Sequence, residues 1–432
     1  MNRYKVEYES KLCSFEESYN LIQDGDVIGT GFAVMEPMGF LKDLHTISHR
    51  INKVTLLHSL DMGKYKILTD KEHNKKFHIT SWFLMNSGRQ ALKANNIEYV
   101  PGNLHNAATR QIEVEPIDIF VATVTPMDEH GYFRFSLSNI GEHQWSQNAK
   151  KVILEVNPNL PNVYGDNEIH ISQVDKIIEC DRPIPILDSG EISEIDEKIG
   201  VNVASLVEDG STIQLGIGAI PDAVSKAFKN KKDIGVHTEM ITNSIVELVE
   251  AGVITGNKKT LHKGKIVGTF ALGNNRLYNF MNNNPGVMIL PGYYVNDPHV
   301  IAQNDNMVSI NTAITVDFCG QVCSESINTK QYSGSGGQSD TATGAIHAKN
   351  GRSIIALRST AKDDTVSTIL PCLPLGSIVT LSRNNIDYIV TEYGIALMKN
   401  QSVKQRTINL INIAHPKFRD ELRLQAEKLQ YI

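Results

Sequence analysis

The segment GVHTEM, residues 235–240, sets a histidine and a glutamate two residues apart between two apolar runs. A carboxylate in that setting has two readings. It is a solvated acid where the chain turns, or it is a carboxylate held for chemistry. If 234–239 is extended, alternate residues share a face. Gly235, His237 and Glu239 then point one way, and Ile234, Val236 and Thr238 the other. Glu239 would lie at the carboxyl end of its strand, the edge at which open α/β sheets bind ligands. His237 reads first as a hydrogen-bonded turn histidine, and spacing alone makes neither residue catalytic.

Two glycine-rich stretches and one asparagine add chemistry of a compatible kind. QLGIGAIPDAV, from Gln214, runs from a strand into Gly216-Ile217-Gly218-Ala219-Ile220, with a helix expected to start near Pro221. Glycines there let a phosphate or pantetheine chain approach the backbone, and a helix start offers free N–H groups. The stretch is also readable as a tight turn. It is not a dinucleotide fingerprint, because Asp222 stands where the third glycine would fall. In QYSGSGGQSDTATGA, residues 331–345, Ser333, Gly334, Gly336 and Gly337 precede Gln338 and Asp340. Such a run forms concave loops whose N–H groups can face an anion or a developing oxyanion, or else a flexible surface loop. In YVNDP, Asn296 and Asp297 before Pro298 predict a turn. The Asn296 amide could bond a ligand carbonyl, although capping is the simpler role.

These residues need strands and helices to hold them. Short β-branched runs alternate with amphipathic stretches, as in α/β proteins. DVIGTGF, KVTLLHSL, FHITSWFL and IDIFVATVTPM read as strands in the first half. STIQLGIG, DIGVHTE, KIVGTFAL, GVMILPG, RSIIALRS and IDYIVTEYG do so in the second. Many lack clean alternation, which suits parallel sheets covered on both faces. QDGDVIGTGF (23–32) resembles EDGSTIQLGI (208–217), so that Gly25 matches Gly210 and Gly31 matches Gly216. This weak repeat predicts a duplicated fold of two similar open α/β domains with largely parallel sheets. The proline-bearing, acid-rich stretch at 180–196 reads as the linker, giving domains 1–185 and 190–432.

A chain of 432 residues suits two domains. Its net charge of −6, without a long block of one sign, gives no electrostatic footprint for nucleic acid. The start, MNRYKVEYESKL, lacks the apolar centre of a signal peptide, and no window has the ~18 apolar residues of a membrane span. The expectation is a cytoplasmic protein. Cys13, Cys180, Cys319, Cys323 and Cys372 are an odd, scattered set that reads as reduced thiols. Cys319 and Cys323 have CxxxC spacing, with no second Cys/His pair at metal-site distance, so no metal is expected.

Taken in order, GIGAIP, GVHTEM, YVNDP, SGSGGQSD and VTEYG resemble the acetyl-CoA hydrolase/transferase family, and within it the 4-hydroxybutyrate and butyryl-CoA:acetate CoA-transferases. Nearly the whole chain takes part. The resemblance implies two α/β domains with the active site at their interface, and coenzyme A as a substrate rather than a bound cofactor. It implies an acyl-CoA and a short-chain carboxylic acid as partners, and a homodimer or higher homo-oligomer. It places the catalytic glutamate on Glu239 and the CoA cradle on Gly216, Ile217, Gly218, Ala219 and Ile220. The thioester-contacting asparagine falls on Asn296, and the oxyanion and CoA loop on Ser333 to Gly337, Gly336 included. Met398, Lys399 and Asn400 depart from the family's more charged, glycine-containing turn. An acyl-CoA hydrolase using the same glutamate and a non-catalytic CoA-binding protein are the alternatives. A nicotinamide dehydrogenase fails on the missing glycine.

Overall fold

Runs such as VIGT, VTLL and IFVATV are buried along their whole length. β-branched residues in unbroken runs satisfy both covered faces of a parallel sheet. The computed structural model describes residues 3–73, 75–188 and 190–432, so Met1, Asn2 and Ser189 of the expected linker lie outside the described residues. The chain divides into two units, Met1–Leu187 with Gly268–Val295, and Asp188–Val267 with Asn296–Ile432.

In the first unit, β1 (Val27–Thr30), β2 (Val54–Leu57), β3 (Phe77–Ser81), β4 (Glu98–Tyr99), β5 (Ile119–Val124), β6 (Lys151–Val156) and β7 (Lys176–Glu179) form a sheet. Its order is β4–β3–β2–β1–β5–β6–β7, and the strands run parallel. The turn after β1 is closed on itself. A Cβ on Gly31 would lie 2.3 Å from the Met35 carbonyl oxygen. The buried Glu36 carboxylate just beyond accepts the Met62 and Gly63 N–H groups at 3.2 and 2.9 Å.

In the second unit, β8 (Thr212–Leu215), β9 (Gly235–Ile241), β10 (Met307–Thr312), β13 (Arg352–Ala356), β15 (Tyr388–Thr391) and β16 (Gly394–Leu397) lie in the order β9–β8–β10–β13–β15–β16. They run parallel except for β16. A small sheet beside them joins β11 (Thr315–Asp317), β12 (Val322–Cys323) and β14 (Ile369–Leu370) in the order β12–β11–β14.

The sequence repeat has a structural counterpart in each unit. Gly25 and Gly210 both take positive φ, +91° and +76°, in the turn before the first strand, a conformation that glycine adopts without cost. The Gly25 N–H donates to Lys53 O at 2.7 Å, and the Gly210 N–H to Lys232 O at 2.8 Å. Each bond ties the start of a central strand to the residue leading into its neighbour.

Three helices of the second unit position the site. α1 (Glu194–Ser205) begins at Ser193, whose hydroxyl and Asp196 form a reciprocal cap. Gly200 lets α1 pack closely on α2 (Ala219–Ala227), since a Cβ there would be 2.6 Å from Ala223 O. α2 starts at Ala219, two residues before the expected Pro221, which falls in the first turn. The N–H that proline lacks is one that a helix start leaves unused. After β9 comes α3 (Asn243–Glu250). Among the described residues, no helix is long and apolar enough to cross a membrane.

Candidate active site

The strands adjoining β8 create the crevice. From β8 the chain passes through α2 to β9 on one side, and later returns to β10 on the other. Such a reversal is where ligands enter open α/β sheets, beyond the carboxyl ends of the strands. β8 and β9 pair at Thr212↔Gly235 and Ile213↔Val236. Further along, the Thr238 hydroxyl intervenes, 3.4 Å from both Leu215 N and Leu215 O. The two strands therefore part toward their carboxyl ends. Continued at the same offset, the register brings Gly216 level with Glu239.

Glu239 is the fifth of seven residues in β9 rather than its last. The expected split into two faces does not divide buried from exposed, because the strand is covered on both sides. His237 is buried within the strand, not in a turn, and Glu239 is the one residue of β9 with part of its surface open.

Two donors converge on that carboxylate. Asn296 Nδ2 donates to Glu239 Oε2 at 2.9 Å, and the Gly337 N–H also hydrogen-bonds the carboxylate. Asn296 is free for this because the neighbouring residue caps the next helix. The Asp297 carboxylate accepts His299 N–H at 2.8 Å at the start of α4 (Pro298–Ile301). The capping role that the sequence left open for Asn296 thus belongs to Asp297. Asn296 is fully buried, and its Oδ1 has no hydrogen-bond partner among the described residues. A buried acceptor without a partner is costly, and a donor on a bound substrate would satisfy it.

Gly337 stands at the N-cap of α5 (Gln338–His347) with φ −94° and ψ 15°, which any residue can adopt. The need for glycine is one of space, not of dihedrals. A Cβ at 337 would lie 1.9 Å from Glu239 Oε2 and 2.1 Å from Asn296 Nδ2. The position of α5 is fixed farther along by Gly344. A Cβ there would lie 2.5 Å from Ile301 Cβ and 3.1 Å from Pro298 O, so α5 is pressed against α4. Asn296 just before one helix and Gly337 at the start of the other are thereby held at a fixed spacing.

Burial pushes the Glu239 carboxyl up to about 7. The Asn296 amide opposes this, the charge of Asp340 adds to it, and the Gly337 N–H again opposes it. Asp340 is buried in the first turn of α5. Its contribution was not assigned from the sequence, although it follows Gly337 by only three residues. Asp340→Asn should move the acid limb of the rate–pH profile to lower pH by about a unit or less, measured as kcat/KM against pH with buffers of constant ionic strength.

The remaining sequence-predicted residues divide into two groups. Gly216, Ile217 and Gly218 form the open turn from β8 into α2, and Ala219 and Ile220 begin α2 itself. Ile217 is 43 % exposed. Gly218 has φ +109°, and a Cβ on it would meet nothing within 4 Å. This turn has room for a chain to lie on its backbone. Ser333 and Gly336 belong to the loop before α5. The Ser333 hydroxyl turns to Gly334 O at 3.2 Å rather than to Glu239, and Gly336 supplies the positive φ, +51°, that bends the loop into Gly337. Cys323 is buried with Sγ against Ser326 O at 3.2 Å, whereas Cys319 is only partly covered. Among the described residues, no three His, Cys, Asp or Glu side chains gather as a metal set.

The N-terminal domain model of the acetyl-CoA hydrolase/transferase family matches residues 1–188, and the C-terminal domain model matches residues 273–426. The 4-hydroxybutyrate coenzyme A transferase of Clostridium kluyveri is 43 % identical, covering 98 % of each chain. The succinyl-CoA:cyclohexane-1-carboxylate CoA transferase of Geobacter metallireducens is 42 % identical over 99 % of this chain and 98 % of its own. The crystal structure of RipA from Yersinia pestis superposes with a TM-score of 0.93 at 37 % identity, covering 99 % of this chain and all of that one. With both domain models matched and relatives of this closeness along its whole length, the chain belongs to the acetyl-CoA hydrolase/transferase family and stands among its CoA-transferases.

Proposed function

We propose that the chain exchanges CoA between a short-chain acyl-CoA, 4-hydroxybutyryl- or butyryl-CoA, and acetate, through a glutamyl-CoA thioester on Glu239. The observation that carries this reading is the partly open Glu239 carboxylate with the Asn296 amide and the Gly337 N–H on it. The Clostridium kluyveri relative supports the four-carbon hydroxy acid.

The steps of this reading use that geometry. The ionised Glu239 attacks the thioester carbonyl, the C–S bond breaks, and a mixed anhydride and CoA thiolate result. The thiolate attacks the glutamyl carbonyl and releases the first acid as its carboxylate, leaving glutamyl-CoA. The second carboxylate then repeats the two steps in reverse. No net proton is taken up or released, and one thioester replaces another. A tetrahedral oxyanion forms each time, on the acyl oxygen in the first step and on the glutamyl oxygen in the second, and the donors on the Glu239 carboxylate support stabilisation of the second. One such donor contributes roughly 3–4 kcal/mol in comparable sites. The open turn at Gly216–Gly218 and the start of α2 offer a backbone surface for the pantetheine chain, and Asn296 Oδ1 an acceptor for one of its amide N–H groups. Because only the ionised glutamate is nucleophilic, exchange should rise with pH through about 7.

Borohydride tests the intermediate. With acyl-CoA and no acceptor acid, the enzyme should accumulate the thioester, which borohydride reduces to an alcohol at residue 239. Free enzyme should be untouched. Peptide mapping should place the change in GVHTEM only after acyl-CoA treatment. Inactivation independent of acyl-CoA, or a label elsewhere, refutes the covalent route. Steady release of free acid and CoA without acceptor assigns hydrolysis instead.

A further inference from the structure

Outside the catalytic crevice, the second unit places two cysteines just beyond the same end of one small sheet. β11 and β12 form a hairpin, paired at Thr315↔Cys323 and Val316↔Val322. Its tip is a turn in which the Gly320 N–H donates to Asp317 O at 2.9 Å, and Cys319 sits in that turn. β14 lies on the outer side of β11 and runs parallel to it, toward the tip, with Val316↔Ile369 and Asp317↔Leu370. Cys319 and Cys372 are therefore each two residues past the same ladder pair.

The path of the chain after β14 tightens this placement. It has to reach the far side of the hairpin, where Leu381 bridges Val322. On the way the Ile378 N–H donates to Ser326 Oγ at 2.9 Å, and the Thr380 N–H to Val322 O at 2.8 Å. The segment 371–380 thus leaves at the hairpin tip and is anchored again on the opposite strand. Cys372 is exposed and flanked by Pro371 and Pro374, whose fixed φ narrows the paths available. Tyr431 marks the same spot. Cys319 Sγ donates to its hydroxyl at 3.7 Å. The phenol is held above its ordinary range first by that hydrogen bond, with Cys372 among the neighbours whose charge contributes.

We propose that Cys319 and Cys372 are a dithiol site that a hydroperoxide converts to an intramolecular disulfide. The exposed Cys372 thiolate attacks the outer peroxide oxygen, which breaks the O–O bond, releases water or an alcohol and leaves a sulfenic acid. The Cys319 sulfur then attacks the sulfenic sulfur. Its proton leaves with the hydroxide as water, and the S–S bond forms. Two thiols lose two electrons, and the peroxide gains them. A small dithiol reverses the change by exchange. The ladder leading to the two cysteines ends at Asp317↔Leu370, two residues short of each, so the bond forms when the turn at Asp317–Gly320 and the chain after Leu370 bring the two sulfurs into the range a disulfide spans. Cys323, on the same hairpin, is kept out by its burial and its contacts to Ser326.

The test uses the full chain, reduced and then treated with equimolar hydrogen peroxide. Non-reducing peptide mapping should show the Cys319 and Cys372 peptides joined with a mass loss of about 2 Da, restored by dithiothreitol. In Cys319→Ser, Cys372 should persist as a sulfenic acid that dimedone captures. In Cys372→Ser, Cys319 should gain no crosslink. Oxidation of wild-type Cys372 to sulfinic acid without a link, or a bond joining two copies of the chain, overturns the proposal. So does a Cys319–Cys372 link that forms as well in denaturant as in the native protein, since the fold would then contribute nothing.

Discussion

Glu239→Gln should lose CoA exchange by at least about a thousandfold, the scale on which covalent nucleophiles are missed, while folding intact. The amide keeps the shape of the side chain and can still accept a hydrogen bond, but it cannot attack a thioester. The same variant should be more stable than the wild type at neutral and alkaline pH. The Glu239 carboxyl is pushed up to about 7 in the folded protein, above the roughly 4.3 of an unfolded glutamate. Folding therefore disfavours its ionised form. That cost is absent below the unfolded value, grows as pH rises between the two values, and is complete above about 7. At ~1.4 kcal/mol per unit it is on the order of 4 kcal/mol. The melting temperature of Glu239→Gln should exceed that of wild type at pH 8 and converge with it near pH 4. A variant that is inactive but less stable at pH 8 would mean that the glutamate is a structural element and not a strained nucleophile.

The second large effect is expected from Gly337→Ala. One methyl group at 337 would fall within 2.1 Å of both Glu239 Oε2 and Asn296 Nδ2. Both atoms end side chains that can swing aside, and the backbone at 337 suits alanine, so the protein should fold with a near-normal melting temperature. Both catalytic side chains must nevertheless leave their places, and the N–H of 337 loses its aim. Turnover should drop by about a hundredfold or more, comparable to the removal of an oxyanion donor, with kcat affected more than KM. Near-normal turnover in a folded Gly337→Ala protein would remove residue 337 from the site.

The glutamate, the asparagine and both glycine loops are local patterns, and the sequence marks them because glycine runs and polar residues at strand ends are rare inside regular elements. The nature of each role was not local. In Asn-Asp-Pro, either Asn296 or Asp297 could cap a helix beginning at the proline. Only the fold shows that Asp297 does so, which leaves the Asn296 amide to Glu239. Gly337 looks like a residue chosen for unusual dihedrals, yet its backbone is ordinary and the reason lies in side chains 98 and 41 positions away in the sequence. Asp340, in a helix, acts through charge on a residue of strand β9, and no periodicity reports that. The neighbourhood of Cys319 and Cys372 depends on strand register across more than fifty residues, whereas the sequence drew the eye to Cys323 by its closeness in the chain.

The contact between α4 and α5 at Gly344 gives the site the mechanics of a calliper. Its jaws are the Asn296 amide and the Gly337 N–H, and its pivot is the point where Gly344 meets Ile301. Seven residues of α-helix separate pivot from jaw, a stiff arm of ~10 Å. A side chain added at the pivot cannot be absorbed by a soft neighbour, because it would meet Ile301 Cβ, the branch point beside the backbone, at 2.5 Å and the Pro298 carbonyl oxygen at 3.1 Å. It must instead spread the arms and widen the gap into which the carboxylate fits. The two hydrogen bonds on Glu239 are therefore set from a distance by a residue that touches neither acyl group nor CoA. The bore of the site can be changed by tenths of an ångström without altering a single atom that lines it.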